Sequence, residues 1–236
     1  MNTLHATADE LDALAFGLSG APFPDTGPTL VAAAPEEHRG LVAARLLRSL
    51  ALRGVVVDGP HGPAVAPVFQ PLLHCRLAAQ VTVIVRVRTP GSSAMAAVCE
   101  CDGSIVVHSA DPDGVHHLRE VRLPLLDAVL AQLDPPPLAK PGDRPLRMRY
   151  SELDSADNPF VSAVRDYSYA AKIIKISVEM ATAALVVGRS GQAWLASVEP
   201  DGDGLDGRLY ARPVGQLREA VASVLTGSPS HSVAGQ

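Results

Sequence analysis

Apolar residues recur at two different spacings along the chain, and the spacing changes near residue 81. Before that point, three stretches show the three-to-four-residue spacing of amphipathic helices. The first helix is predicted to follow the capping-box pair Thr7 and Glu10, the second to begin at Pro35, and the third to run from Pro67 or Pro71 to Ala79. Their inward positions are Leu11, Leu14 and Leu18, then Ala43, Leu46, Leu47 and Leu50, then Leu72, Leu73 and Leu77.

From Val81 onwards apolar residues alternate with other residues, which indicates β-strands. In the first strand the core positions are Val81, Val83, Val85 and Val87, and the mixed positions are Thr82, Ile84, Arg86 and Arg88. Two further strands follow, and Asp102-Gly103 between them is typical of a type I′ hairpin turn. A second alternating run spans 172–180, and it precedes predicted strands at 183–187 and 193–198.

A strand–turn–helix pattern occurs twice, at 115–134 and at 208–226. In each copy a short strand-like run reaches a proline, Pro124 or Pro213, and an apolar stripe at helical spacing follows. The two stripes are Leu125, Leu126, Val129, Leu130 and Leu133, and Leu217, Val221, Val224 and Leu225. Because each copy follows a series of strands, the sequence predicts an α+β fold built from two pseudo-symmetric strand–helix halves.

Proline and glycine mark the division between the halves. The segment DPPPLAKPGDR at 134–144 is predicted to be a stiff linker. Residues 1–133 then hold the N-terminal helices, the first strands and their helix, and 145–226 hold the second strands and helix. A disordered tail is predicted at 227–236, and the two halves are expected to form one compact domain.

Composition narrows the class of protein. With 47% hydrophobic residues in 236, the chain can bury a large core, and its net charge of -5 argues against nucleic-acid binding. It contains no apolar run of the ~20 residues that a membrane helix requires, and its acidic N-terminus does not resemble a signal peptide. The three cysteines cannot all pair, so we expect a cytoplasmic protein with reduced thiols that does not insert into membranes.

Candidate chemistry is sparse. Cys99 and Cys101 lie two apart on a predicted strand, so their thiols share a face, and His108, His116 and His117 follow on neighbouring strands. Zinc binding by these groups is one interpretation, but the sequence lacks the second cysteine pair or spaced histidine pair of zinc sites, and free cysteine is commonly buried. We therefore predict no metal site.

The segment 202–207 matches the letters GxGxxG of dinucleotide-binding loops. A strand-like run follows it rather than a helix, so we predict a hairpin loop without phosphate binding. No nucleophile elbow, Walker loop or His-Glu pair at helical spacing occurs in the chain. We predict no catalytic residue and no cofactor, which favours a binding protein over an enzyme of unrecognised type.

Three helices followed by strands are also the order of a winged-helix domain, and this gives an alternative function. The protein would then be a transcriptional or ligand-sensing regulator. Against it, the third predicted helix carries only Arg76 as a cationic side chain, whereas a recognition helix needs several groups for phosphates and base edges.

Five segments carry a resemblance to a known family. They are TADELDALAFGLSGAPFP at 7–24, LRSLALRG at 47–54, VTVIVRV at 81–87, LPLLDAVLAQLDPPPLAKPGD at 123–143, and AWLASVEPDGDGLDGRLYARPVGQLREAVASVL at 193–225. In their order and texture the chain resembles the EspG proteins of actinobacterial type VII (ESX) secretion systems. The resemblance implies a quasi-two-fold antiparallel sheet flanked by helical bundles. It also implies a cytosolic chaperone or adaptor that binds the apolar tip of a helical PE–PPE or WXG-like substrate and keeps it soluble for export.

The mixed strand faces are the candidate partner-binding surface. On the valine strand it comprises Ile84, Arg86 and Arg88, and on the corresponding strand of the second half Ile173 and Lys175. Each set places an apolar residue among charges on what should be the outer face. The other interpretation is that a helix covers these positions and that they belong to the core.

Overall fold

The computed structural model describes residues 2–20, 23, 28–60, 62–135, 140–141, 146–149, 165–178, 180–201, 204–210 and 214–226. Its helices are α1 (Ala8–Ser19), α2 (Leu30–Ala33), α3 (Glu36–Leu52), α4 (Gln70–Leu77), α5 (Leu125–Leu133) and α6 (Val214–Thr226). Its strands are β1 (Thr3–Thr7), β2 (Val56–Gly59), β3 (Gly62–Val65), β4 (Val81–Thr89), β5 (Ser92–Cys101), β6 (Ser104–Ala110), β7 (Val115–Val121), β8 (Lys140–Pro141), β9 (Leu146–Arg149), β10 (Tyr167–Ile176), β11 (Ala181–Gly188), β12 (Gln192–Asp201) and β13 (Gly204–Tyr210). The predicted tail at 227–236 and most of the predicted linker at 134–144 lie outside the described residues.

The chain divides into two compact units, residues 1–80 with 99–122 and residues 81–98 with 123–236. In the first unit the strand order is β1-β7-β6, followed by the end of β5. In the second, the beginning of β5 is followed by β4-β10-β11-β12-β13-β9. The strand β5 is continuous and contributes to both units. The predicted boundaries near 133 and 145 stay a prediction.

The two predicted halves are confirmed as repeats of one topology. Strands β4 to β7 precede α5, and strands β10 to β13 precede α6, each in spatial order along the sheet. The antiparallel partners β4 and β10 join the halves, and α5 packs against α6. The predicted α+β fold with a quasi-two-fold antiparallel sheet and flanking helices is therefore confirmed.

The start of α1 forms as its sequence predicts. The Thr7 side chain accepts a hydrogen bond from the Glu10 amide, and the Thr7 amide donates to the Glu10 carboxylate, so both halves of the capping box are present. The same carboxylate accepts from Ser49 and pairs with Arg53 at 2.6 Å. One local signal thus fixes the start of α1 and also ties it to α3.

Four elements of the first unit, β1, α2, β2 and β3, were not predicted. β1 is a five-residue strand whose pairing with β7 is set by tertiary contact. The helix α2 has only four residues, too few to show a period. The strands β2 and β3 have four residues each and pair as a hairpin in which Gly59 is opposite Gly62. Such short elements lie below the length at which a hydrophobic period is recognisable.

Candidate partner-binding surface

Strand register decides which of the predicted surface residues lie together. In the antiparallel pair β4–β10, Ile173 is opposite Val85, Lys175 is opposite Val83, and Ile174 is opposite Ile84. Directly opposite residues project from the same face of a sheet. The two predicted sets therefore lie on opposite faces: Ile84, Arg86 and Arg88 share one face, whereas Ile173 and Lys175 share the other. The prediction that they form one surface was wrong, because the β10 residues opposite Ile84 and Arg86 are Ile174 and Lys172, each one residue before the predicted Lys175 and Ile173.

The face that carries Ile173 is apolar, and we name it the closed face. Its members are Val83, Val85, Val87, Tyr169, Ala171, Ile173, Lys175, Ala181, Ala183, Leu185 and Val187. Ile173 is 0% exposed and belongs to the core. The hydroxyl of Tyr169 donates to the carbonyl oxygen of Leu133 at the end of α5, which places α5 over this face. Because α6 packs against α5 and contacts β11 and β12, the pair of helices covers the closed face.

Burial also explains the protonation of Tyr169. Its pKa is raised, mainly by loss of solvent and further by the nearby Asp134 carboxylate. The phenol therefore stays neutral and keeps its hydrogen bond to α5 at every ordinary pH. Its role in the described structure is to hold a helix against the sheet.

The opposite face, which we name the open face, is formed by Thr82, Ile84, Arg86, Arg88, Ala170, Lys172, Ile174, Ile176, Thr182, Ala184 and Val186. Arg86, Arg88 and Lys172 are exposed, and Ile174 is half-buried. Ile84 and Val186 are only 8% and 5% exposed, so they contribute little contact area of their own. The open face thus presents cations around a partly accessible apolar centre.

Like charges face each other across the centre of the open face. Arg86 and Lys172 are direct register partners. Two cations at such positions repel each other and destabilise the strand pair. Among the ion pairs of the described residues, none involves either side chain. An acidic group placed between the two side chains would relieve this repulsion.

Apolar side chains continue from the open face to the β10–β11 turn. Ile176, whose register partner Thr82 places it on the open face, is 44% exposed. The next apolar residues, Val178 and Met180, are exposed to 105% and 75%. Large apolar side chains in water tend to mark contact surfaces when they are contiguous. This end of the open face is the part most suited to an apolar partner.

The histidines considered for zinc form hydrogen bonds with other side chains, and two of them, His108 and His116, bond to each other. The Nε of Arg76 donates to Nδ1 of His108, and Nε2 of His108 lies 2.8 Å from Nδ1 of His116. Burial, with help from the Arg76 charge, lowers the pKa of His108 to about 3, so this ring is neutral. His117 lies outside this group, 2.8 Å from a ring nitrogen of His5. These contacts do not bring the three histidines to Cys99 and Cys101 as one ligand set.

The third helix of the proposed winged-helix alternative is α4, and its cation is not available for nucleic acid. Arg76 is 7% exposed, donates to His108, and has the ring of Phe23 5.0 Å from its guanidinium carbon. A recognition helix needs its cations at the surface. The structure therefore gives this alternative no support.

The described residues of the GxGxxG segment, 204–207, lie on β13, and the predicted strand after the motif is confirmed. β12 and β13 pair antiparallel with Asp201 opposite Gly204, and a strand follows the motif. Without a helix after the loop, no row of helix N-terminal amides is present to bind a pyrophosphate. The described helices also include none that is both long and apolar enough to cross a membrane.

No protein-family profile and no curated protein sequence matches this chain. Among solved structures it is similar to the type VII secretion system chaperone EspG5 of Mycobacterium tuberculosis, determined in complex with a PE25–PPE41 dimer. The TM-score is 0.61 at 13% sequence identity, over 97% of this chain and 98% of that chain. At this identity the likeness concerns the fold, and it extends over both halves.

Proposed function

We propose that this protein is a non-catalytic cytoplasmic chaperone or adaptor of a type VII (ESX) secretion system. It binds a helical secreted protein, of the PE–PPE or WXG-like kind, and keeps it soluble until export. The open face is the binding surface. Arg86, Arg88 and Lys172 meet acidic groups of the client, and Ile174 and Ile176 meet its apolar tip.

The observation that carries this proposal is the pair of like charges at the centre of the open face, where the Arg86 and Lys172 side chains are both exposed. Sheet faces without a helix layer are usually polar and mixed in sign, because charges of one sign repel. Here Arg86 and Lys172 stand opposite each other, and Arg88 adds a third exposed cation to the same face. An acidic partner gains electrostatic attraction and fast association at this surface.

The likeness to EspG5 supports the same proposal from another direction. That protein is described as a chaperone in complex with a PE–PPE dimer, and its fold matches this chain from end to end. A shared fold alone does not fix a function. It becomes informative here because the open face offers the mixture of apolar and charged contacts that protein interfaces use.

The test is capture of a client by charge-reversed protein. Tagged protein is co-expressed with the PE–PPE pairs and WXG-like proteins of the same genome, and the stable complexes are identified by size-exclusion chromatography. The variant Arg86→Glu/Lys172→Glu is then compared with Arg45→Glu/Arg48→Glu, which reverses two exposed cations of α3. We expect the open-face variant to lose at least about tenfold in affinity, or ~1.4 kcal/mol, and the α3 variant to retain it.

The circular dichroism spectrum of both variants is expected to match the wild type, because all four side chains are exposed. Equal affinity of the two variants would remove the open face from the proposal. Failure of every candidate client to form a complex with the wild type would overturn the chaperone function itself.

A further inference from the structure

Three side chains near the end of α4 bring nitrogen, sulfur and oxygen donors together. They are His74 of α4, Cys101 at the end of β5 and Asp102 in the following turn, and their ligand atoms all lie within 4.8 Å of one another. The Sγ of Cys101 and Oδ2 of Asp102 are 3.8 Å apart. Two ligands of one tetrahedral zinc ion would be separated by about 3.6 Å, given bonds of roughly 2.3 Å to sulfur and 2.1 Å to oxygen. The sulfur–oxygen distance is therefore already close to that of a metal site.

The backbone holds two of these donors firmly. Cys101 is buried, and Asp102 has a φ of 50° in the turn that Gly103 completes with a φ of 79°. The Nε2 of Gln80 donates to Oδ1 of Asp102 at 3.2 Å, which leaves Oδ2 directed towards the thiol. Metal-binding carboxylates are commonly oriented by such a second hydrogen bond. Gln80 would act here as a positioning residue.

The third donor comes from a favourable part of a helix. His74 is exposed in the last turn of α4, where unpaired carbonyl groups give the helix end a partial negative charge. Its ring is exposed and can rotate towards Cys101 and Asp102. The three ligand atoms now lie within 4.8 Å of one another. Shortening the longest separation by about 1 Å would bring all three to the spacing of zinc ligands. The negative helix end further favours a cation at this place.

A nucleophilic or redox role fits these residues less well. The Cys101 side chain is buried and its sulfur lies 3.8 Å from the Asp102 carboxylate, whereas reactive cysteines are partly exposed and lie in electropositive surroundings. A divalent cation suits this pair better, because it binds thiolate and carboxylate together.

We propose that His74, Cys101 and Asp102 bind a divalent transition-metal ion, with Zn²⁺ as the preferred one. Mixed imidazole, thiolate and carboxylate ligands suit Zn²⁺, whereas Mg²⁺ and Ca²⁺ prefer oxygen alone. Three protein ligands leave the fourth tetrahedral position to water. The site lies entirely in the first unit and does not include the open face, so it stands or falls independently of the proposed function.

The test is a titration of the reduced, metal-free full-length protein with Co²⁺, followed through the thiolate-to-cobalt charge-transfer absorption and reversed with Zn²⁺. We expect one equivalent to bind. His74→Ala and Asp102→Asn each replace an exposed side chain, and asparagine tolerates the positive φ of residue 102. Each variant should weaken binding by at least about tenfold, since loss of even an outer partner of a metal site commonly has this effect.

Matched controls separate this site from adventitious binding. His38→Ala and Asp113→Asn remove an exposed histidine and an exposed aspartate elsewhere, and they should leave binding unchanged. Cys101→Ser should abolish the charge-transfer band, while Cys75→Ser should retain it. A titration without the band overturns the proposal, and so does a band that survives His74→Ala and Asp102→Asn at full affinity. A band lost in Cys75→Ser but kept in Cys101→Ser also overturns it.

Discussion

The two faces of the β4–β10–β11 sheet differ in the burial and charge of their side chains. On the closed face, Val85 and Ile173 lie opposite each other at 1% and 0% exposure beneath α5 and α6. On the open face, Arg86 follows Val85 and Lys172 precedes Ile173, and these two cations lie opposite each other in solvent. The closed face contributes apolar burial to the stability of the fold, whereas Arg86 and Lys172 on the open face carry like charges that repel each other.

Substitutions at neighbouring residues of one strand are therefore expected to change the stability of the protein by very different amounts. The pair Ile173 and Ile174 tests this directly, because the side chains are identical and only the face differs. Ile84 and Ile173 are both buried, so replacing them by Asp would unfold the protein rather than test partner binding.

Ile173→Asp should cause the largest loss of stability. It places a carboxylate in a fully buried apolar position, and we expect a decrease of about 4 kcal/mol or more in the free energy of unfolding. Ile174→Asp, on the open face, should cost about 1 kcal/mol or less. Chemical denaturation followed by circular dichroism measures both. Equal losses would contradict the assignment of the two faces.

In the first unit, the buried side chain of His108 also affects stability, through its protonation. The pKa of His108 falls from 6.5 in the unfolded chain to about 3 in the folded protein. Between these values the unfolded chain binds a proton that the folded protein does not, so stability falls as the pH is lowered from about 6.5. The slope from this ring approaches ~1.4 kcal/mol per pH unit.

The variant His108→Gln isolates that contribution. Denaturation between pH 7 and pH 5, roughly the window in which histidine titrates, should show a shallower loss of stability for the variant than for the wild type. His38→Gln, at an exposed position of α3, is the matched control and should retain the wild-type slope. Parallel pH profiles for the wild type and His108→Gln would show that the ring is not held neutral by burial.

Tyr169→Phe should have a smaller effect. It removes the hydroxyl that donates to the Leu133 carbonyl and leaves that acceptor without this partner in a buried contact between α5 and the closed face. The expected loss is about 1–2 kcal/mol in the free energy of unfolding, with no loss of client binding. The measurement is again chemical denaturation, with Tyr167→Phe, at a less buried position of the same strand, as the control.

Asp127→Asn is expected to have the smallest effect. The Asp127 carboxylate accepts a hydrogen bond from Arg218 across α5 and α6, and this contact lowers the pKa of Asp127. Both side chains are partly exposed, so salt and water screen the pair. We expect a melting temperature slightly below the wild type, and a difference that shrinks as salt is added. A decrease as large as that of Tyr169→Phe would mean that the pair holds the two helices together.

Short-range sequence patterns predicted much of the secondary structure of this protein. The pair Thr7 and Glu10 defines the start of α1 because a capping box involves only four neighbouring residues. Asp102-Gly103 defines a hairpin because its backbone angles require these residue types. The alternation from Val81 onwards determined that β4 has one core face and one mixed face. The repeated strand–helix pattern likewise gave the α+β class.

The residues of β10 that lie beside Ile84, Arg86 and Arg88 on the open face are set by tertiary packing. Lys172 and Lys175 are three apart on β10, so they point to opposite faces, and both faces of that strand also carry isoleucine. A shift of one residue in register exchanges the two faces completely, and the sequence of β10 does not distinguish the two registers. The meeting of His74 with Cys101 likewise depends on the packing of α4 beside the β5–β6 turn. Period and capping act between near neighbours, whereas register and long-range side-chain contacts are set by how the whole core packs.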